Sequence, residues 1–145
     1  MKKSTLALGA TAGVAVLAMS APIAQASGGL KVSVSPTKPS IGQTVKGKAT
    51  GATPNHTYVC ILTLTHPGTA ESAAMANVND TASVKSNSSG VVSCKLVFLN
   101  FSHTIAGKSH SCPPTKADKK SHWGCGFAVA NLTNHKQFAV APFKF

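Results

Sequence analysis

The stretch Thr57-Tyr-Val-Cys-Ile-Leu-Thr-Leu64 is apolar at nearly every position, and this pattern decides the fold. Successive side chains of a β-strand point to opposite faces of its sheet. A strand that is apolar on both faces must therefore be covered on both sides. The stretch predicts a central strand of a packed sheet.

Six further segments around this strand have the pattern of short strands separated by turn residues. They span residues 30–35, 44–49, 81–86, 91–98, 126–132 and 137–145. About seven short strands without a long amphipathic helix predict an all-β fold, an antiparallel immunoglobulin-like β-sandwich, with a closed barrel as the alternative. The inward positions of these strands give the expected core: Val32, Val34, Val45, Tyr58, Cys60, Leu62, Val92, Cys94, Leu96, Val129 and Val140.

Two segments have less decided patterns. Residues 71–77 fit either one helical turn or a hairpin of small residues. Residues 100–120 are polar and contain Pro113-Pro114, so they are predicted to form a long loop.

The first 26 residues have the three parts of a secretory signal peptide. A positive start, Met1-Lys2-Lys3, precedes an Ala/Leu/Val-rich stretch and an Ala24-Gln-Ala26 cleavage site. The alternative is a membrane anchor, but Gly9, Gly13 and Pro22 interrupt the apolar run. We therefore expect a leader at residues 1–26, a single domain at 27–145, and a secreted, extracellular protein without stable membrane insertion after cleavage.

The charged residues exclude most catalytic chemistry. The chain carries 14 basic residues, all lysines, against three acids, and its formal net charge is +11. The acids, Glu71, Asp80 and Asp118, lie far apart, whereas glycosidases need paired carboxylates and Mg²⁺ or Ca²⁺ sites need clustered oxygens. No Gly-x-Ser-x-Gly nucleophile motif occurs. We expect a protein that is not an enzyme and that has no cofactor.

Four cysteines follow the predicted leader: Cys60, Cys94, Cys112 and Cys125. An even count in a small secreted chain predicts two disulfides, with three connectivities open. By residue type, His110, Cys112, His122 and Cys125 also fit a zinc site. Export to an oxidising compartment favours a Cys112–Cys125 disulfide over metal.

Several short pieces, in their order along the chain, resemble the neocarzinostatin family of secreted actinobacterial apoproteins that carry enediyne chromophores. They are Val32-Ser-Val-Ser-Pro36, Gly42-Gln-Thr-Val45, Gly51-Ala-Thr-Pro54 before Tyr58 and Cys60, Ser89-Gly90, Leu96, Cys112, Cys125-Gly-Phe-Ala-Val129, Phe138-Ala-Val140 and Phe143-Lys-Phe145. The resemblance implies a β-sandwich that carries an antibiotic chromophore, with antimicrobial or DNA-directed activity.

The chain departs from the family at several points, and its loop between Cys112 and Cys125 is longer than the family's. The family pairs the cysteine at the position of Cys60 with one about ten residues further on, and this chain has none there. The remaining partner is Cys94, so the comparison implies a Cys60–Cys94 bridge between sheets, as in immunoglobulin domains. The family's carriers are acidic, whereas this chain is basic. The aromatic residue that the family has two positions past the strand cysteine is Leu62 here.

Large apolar residues near one end of the predicted sandwich suggest a ligand cleft for a small apolar or aromatic molecule, such as a chromophore. They are Tyr58, Leu62, Phe98, Phe101, Trp123 and Phe127. Packing in the core is the alternative for Phe98 and Phe127. Trp123 and Phe101 stand in polar sequence, where packing explains a large aromatic less easily.

The lysines suggest an alternative function, in which an exported immunoglobulin-like module binds polyanions. Lys108, Lys116, Lys119 and Lys120 crowd the predicted long loop and are candidate contacts for non-specific DNA or an anionic cell-surface polymer. Lysine without arginine favours point-charge attraction over base reading.

Overall fold

The computed structural model describes residues 16–20, 29–66, 71–75, 82–133 and 137–145; for 16–20 and 71–75 only the backbone is considered. These residues form eleven strands and one short helix. The strands are β1 Val16–Ser20, β2 Lys31–Ser35, β3 Thr44–Thr50, β4 Thr57–Thr65, β5 Glu71–Met75, β6 Ala82–Lys85, β7 Val92–Val97, β8 Phe101–Ile105, β9 Lys108–Cys112, β10 Gly124–Asn131 and β11 Phe138–Pro142, and α1 spans Lys116–Lys120.

The strands form two antiparallel sheets and a separate hairpin. The larger sheet has the order β1-β5-β4-β10-β11, with β6 paired to the first half of β4. The smaller sheet has the order β2-β3-β7, and β8 pairs with β9. All seven strands predicted from the sequence are present, and the predicted antiparallel β-sandwich is confirmed.

The core lies between the two sheets, as the alternating pattern predicts. The inward residues of β4 are Tyr58, Cys60, Leu62 and Leu64, and all are at most 1% exposed. The Cys60–Cys94 disulfide joins them to β7 of the smaller sheet, with 6.6 Å between the Cα atoms. Of the expected core residues, Val32 and Val34 are half-buried against this cluster. Val140 belongs to a second cluster on the other face of the larger sheet.

Gly47 allows the sheets to approach closely at their centre. A Cβ at this position would lie 2.1 Å from Cε1 of Phe127, far inside van der Waals contact. The ring of Phe127 therefore lies against the backbone of β3, and only glycine fits beneath it.

The predicted long loop at residues 100–120 is wrong. This segment forms the β8–β9 hairpin and helix α1. Ala106 and Gly107 make its turn, with φ of 51° and 78°. The polar composition suggested a loop because the outward positions of a half-buried hairpin are polar. In β8, Phe101, His103 and Ile105 are half-buried, and the residues between them are exposed.

The segment at residues 71–77, for which a helical turn or a hairpin was expected, contains strand β5, which pairs with β1 and touches β4 at Thr63. Strand β1 lies within the predicted leader. In the described part of the chain no helix is both long and apolar enough to cross a membrane.

Candidate functional site

The outward face of β4, β10 and β11 is apolar, although the inward face of the same strands already supplies the sandwich core. Its apolar cluster consists of Val59, Ile61, Ala128, Ala130 and Phe138, with Val140 packed against it. The five clustered residues are each at most 3% exposed. Antiparallel sheets commonly keep one face polar and solvated. This face is therefore both apolar and shielded from solvent, unlike the outward face of most antiparallel sheets.

The middle strand of this face carries only small residues. The outward positions of β10 are Gly124, Gly126, Ala128 and Ala130. The register places Ala128 between Ile61 of β4 and Val140 of β11, and the row of Ala130 repeats the arrangement. The larger side chains of β4 and β11 thus flank a floor, formed by β10, whose own side chains are very small or absent. We call this surface, the outward face of β4, β10 and β11 with its small-residue centre, the outer trough.

The floor of the outer trough has little room for larger side chains at its glycine end. A Cβ at Gly126 would lie 2.6 Å from the backbone oxygen of Ala141 and 2.8 Å from Cγ1 of Val140. Towards this end the outward residues of β4 become polar, with Thr63 and Thr65 both buried. An apolar floor with a few polar groups at one end is the usual composition of a small-molecule site.

An aromatic stack closes the same end of the sandwich. The ring of Trp123 lies between two imidazoles, with its centroid 3.9 Å from that of His110 and 4.4 Å from that of His66. His66 directly follows β4 and Trp123 directly precedes β10, beside the Thr65–Gly124 pair. Both faces of the indole are occupied by rings, so Trp123 does not offer a free face to a ligand.

A buried carboxylate holds His110, one of the two imidazoles of this stack. Nδ1 of His110 lies 2.9 Å from Oδ1 of Asp118, which is 5% exposed. The other oxygen of Asp118 accepts hydrogen bonds from the backbone and side chains of Thr115 and Ser111. Burial alone would raise the pKa of Asp118, but the hydrogen bonds from Thr115, His110 and Ser111 outweigh it and hold the pKa well below its ordinary value. Thr115 also caps helix α1 through a capping box.

A groove of about 440 Å³ lies beside the β8–β9 hairpin. Its lining combines apolar and polar residues: Ile41, Asn100, Phe101, Ser102, Ser111, Cys112 and Pro113. Ile41 is 59% exposed, which is unusual for isoleucine. This groove is another place where a small molecule could lie.

The structure separates the six residues expected to line the cleft. Tyr58, Leu62, Phe98 and Phe127 are at most 1% exposed and belong to the core between the sheets. Phe101 lines the groove beside the hairpin, and Trp123 stands in the aromatic stack. The hydroxyl of Tyr58 donates a hydrogen bond to Oε1 of Gln137, which places it within a packed network.

The sequence-based candidates do not include the outward residues of the same strands. The six candidates were chosen for size, and size selects the inward phase, where the largest residues pack. The sequence signal for this face is the absence of large residues on one side of a strand. Strand β4 is apolar in both phases, and every outward residue of β10 is glycine or alanine.

The lysines proposed to contact polyanions lie on the surface around the hairpin. Lys108 begins β9, and Lys116, Lys119 and Lys120 lie on α1; all four are exposed. The cysteines of the alternative zinc site are bonded to each other, with 5.8 Å between the Cα atoms of Cys112 and Cys125. Both disulfides inferred from the sequence are therefore present, and Cys112 and Cys125 have no thiolate to offer a metal.

The fold is similar to two solved structures. Macromomycin aligns with a TM-score of 0.57 at 20% identity, over 80% of this chain and 98% of that one. Apokedarcidin aligns with a TM-score of 0.51 at 20% identity, over 80% and 97%. Both belong to the neocarzinostatin family, so the resemblance expected from the sequence is confirmed for the fold. No protein-family model and no curated protein sequence matches the chain.

Proposed function

We propose that this protein is a secreted, non-enzymatic carrier that holds a small, flat, apolar or aromatic molecule in the outer trough. The observation that carries the proposal is the second apolar face of the larger sheet, with its floor of glycine and alanine between larger side chains. A two-layer sandwich is stable without a second apolar face, whereas a binding site for a flat ligand requires an apolar surface of this kind.

The resemblance of the fold supports the same function. Members of the neocarzinostatin family carry enediyne chromophores, so a chromophore is the ligand class that the likeness suggests. The four large residues buried between the sheets then serve as the scaffold that keeps the trough flat, and the ligand contacts come from the opposite phase of the same strands.

Secretion is part of the proposal. Cleavage after Ala26 would leave both disulfides and ten of the eleven described strands. It would remove β1, whose five residues pair with β5 in the sheet that carries the trough. We therefore expect the ligand to bind after the leader, and β1 with it, has been removed.

The decisive experiment is native mass spectrometry of the protein purified from the medium of its own host. A bound small molecule is expected, on a chain that begins at Ser27 and lacks four protons for its two disulfides. A processed protein that never carries a small molecule, and that fails to bind any member of a panel of extended aromatic compounds, would contradict the carrier function.

Matched variants locate the site. Ala128→Leu fills the floor of the trough and is expected to weaken binding of an aromatic probe by about tenfold or more. Ser93→Leu adds a larger side chain to the outward face of the other sheet and should leave binding unchanged. Phe101→Ser tests the groove beside the hairpin; if it alone abolishes binding, the ligand lies there and the trough assignment is wrong.

A further inference from the structure

We propose that the outward face of the smaller sheet binds a linear phosphodiester polymer whose repeating unit is a polyol, a poly(polyol phosphate). We call this surface the basic face. It consists of six outward side chains of β2, β3 and β7: Ser33, Ser35, Lys46, Lys48, Ser93 and Lys95. All six are exposed. The proposal is independent of the ligand carried in the outer trough.

The first argument is uncompensated charge. Lys46 and Lys95 are directly opposite in the β3–β7 ladder, where Cβ atoms are about 4.5–5.5 Å apart and like charges repel. Strands β2, β3 and β7 contain no acidic residue. Asp118, the one acid whose side chain the structure describes, is buried against His110. A face that keeps a repelling pair without a counter-charge is complementary to an anion.

The second argument is shape. A groove of about 770 Å³ follows three consecutive residues of each strand, and Val84 borders it. The middle row of this groove is Val34, Gly47 and Cys94, aligned by the register of the three strands. These residues face the sandwich, so their backbone forms the floor. The Cys60–Cys94 disulfide and the contact of Gly47 with Phe127 fix that floor in place.

The third argument selects the polymer. The outward positions of the three strands carry Lys, Ser and Thr with one Val, and no aromatic residue, Arg, Asn or Gln. Single-stranded nucleic acids are held largely by bases stacking on aromatic rings, and base edges are read by Arg, Asn and Gln. Lysine ammonium groups pair with phosphates as point charges, and serine hydroxyls can bond to phosphates or to polyol hydroxyls. The surface fits a phosphate polymer without bases.

The test measures binding of fluorescently labelled poly(glycerol phosphate) to the full chain by anisotropy, at several salt concentrations. One variant carries Lys46→Ala, Lys48→Ala and Lys95→Ala. Its matched control carries Lys116→Ala, Lys119→Ala and Lys120→Ala on α1, so both lose the same charge. Single-stranded DNA and inorganic polyphosphate of equal phosphate number are measured in parallel.

The sheet variant is expected to bind about tenfold or more weakly, and its slope of log K against log salt should be smaller by about 2 to 3. The control should stay close to the parent protein. Equal losses in the two variants would mean that net charge, and not the basic face, attracts the polymer. DNA binding as tight as poly(glycerol phosphate), or no binding of the polyol polymer at 50 mM salt, would also overturn the proposal. Unfolding curves of both variants verify that the fold is intact.

Discussion

The outward faces of the two sheets differ completely, although both sheets contribute to one core. In the smaller sheet, strand β3 alternates strictly between exposed and buried residues, and its exposed residues are lysines and threonines. In the larger sheet, every residue of β4 after Thr57 is buried. The smaller sheet follows the rule for a solvated sheet face. The departure of the larger sheet from that rule is the observation that supports the proposed ligand site.

The largest expected effect comes from placing the same charged residue on each face. Ala128→Lys puts an ammonium group on the floor of the outer trough, where Ala128 is fully buried, and we expect a loss of unfolding free energy on the order of 4 kcal/mol. Ser93→Lys on the exposed face places a lysine opposite Lys48 and should lower it by no more than about 1 kcal/mol. Urea unfolding measures both. Similar small effects would mean that the trough is a solvated surface.

The second effect concerns the disulfide that joins the two sheets. Replacing Cys60 and Cys94 with alanine opens a loop of 34 residues, and the chain-entropy model gives a loss of about 4 kcal/mol. Replacing Cys112 and Cys125 opens only 13 residues and should cost about 3 kcal/mol. Urea unfolding of the two double variants tests the order. The reverse order would assign the main structural role to the disulfide beside the hairpin.

Much of this comparison could be predicted from the sequence, and the failures have physical causes. Period-two alternation located seven strands, and apolarity on both faces marked β4 as central. The same periodicity, applied to the largest residues, placed the cleft inside the core, because Tyr58 and Phe127 share the phase of the disulfide cysteines. The floor of the outer trough consists of glycine and alanine, so the sequence contains no large residue that would indicate it. The stack of Trp123 joins residues 66, 110 and 123, which the pairing of β4 with β10 and the Cys112–Cys125 disulfide bring together.

The third prediction concerns Asp118, the buried carboxylate that contacts His110 and takes part in the capping box of α1. Asp118→Asn weakens the capping box and the contact with His110, and it should lower the unfolding free energy by about 1–2 kcal/mol at pH 7. The folded-state pKa of Asp118 lies below its ordinary value of 3.8. The stabilisation is therefore complete above about pH 4 and declines as the pH falls from there through the folded-state pKa.

Urea unfolding at pH 7, 5 and 3 measures this dependence. The gap between the parent protein and Asp118→Asn should be equal at pH 7 and 5 and narrower at pH 3. Thr115→Ala is the matched variant, since it removes the capping hydroxyl but keeps the carboxylate and its contact with His110. A gap that widens as the pH falls would contradict the assigned direction of the pKa.

The smallest expected effect returns to the basic face, where Lys46 and Lys95 oppose each other. Lys46→Thr removes the repulsion and introduces a β-branched residue, so it should raise the unfolding free energy by about 0.2–1 kcal/mol. Because the charges are exposed, the gain should shrink as salt approaches 1 M. Lys31→Thr is the control, since Lys31 is opposite Thr50 and has no like charge to lose. If Lys46→Thr stabilises the fold and also weakens polymer binding, the basic face retains a destabilising pair for the sake of its ligand. If both variants stabilise equally, the repulsion is spread over the whole basic chain, and the opposed pair has no special part in it.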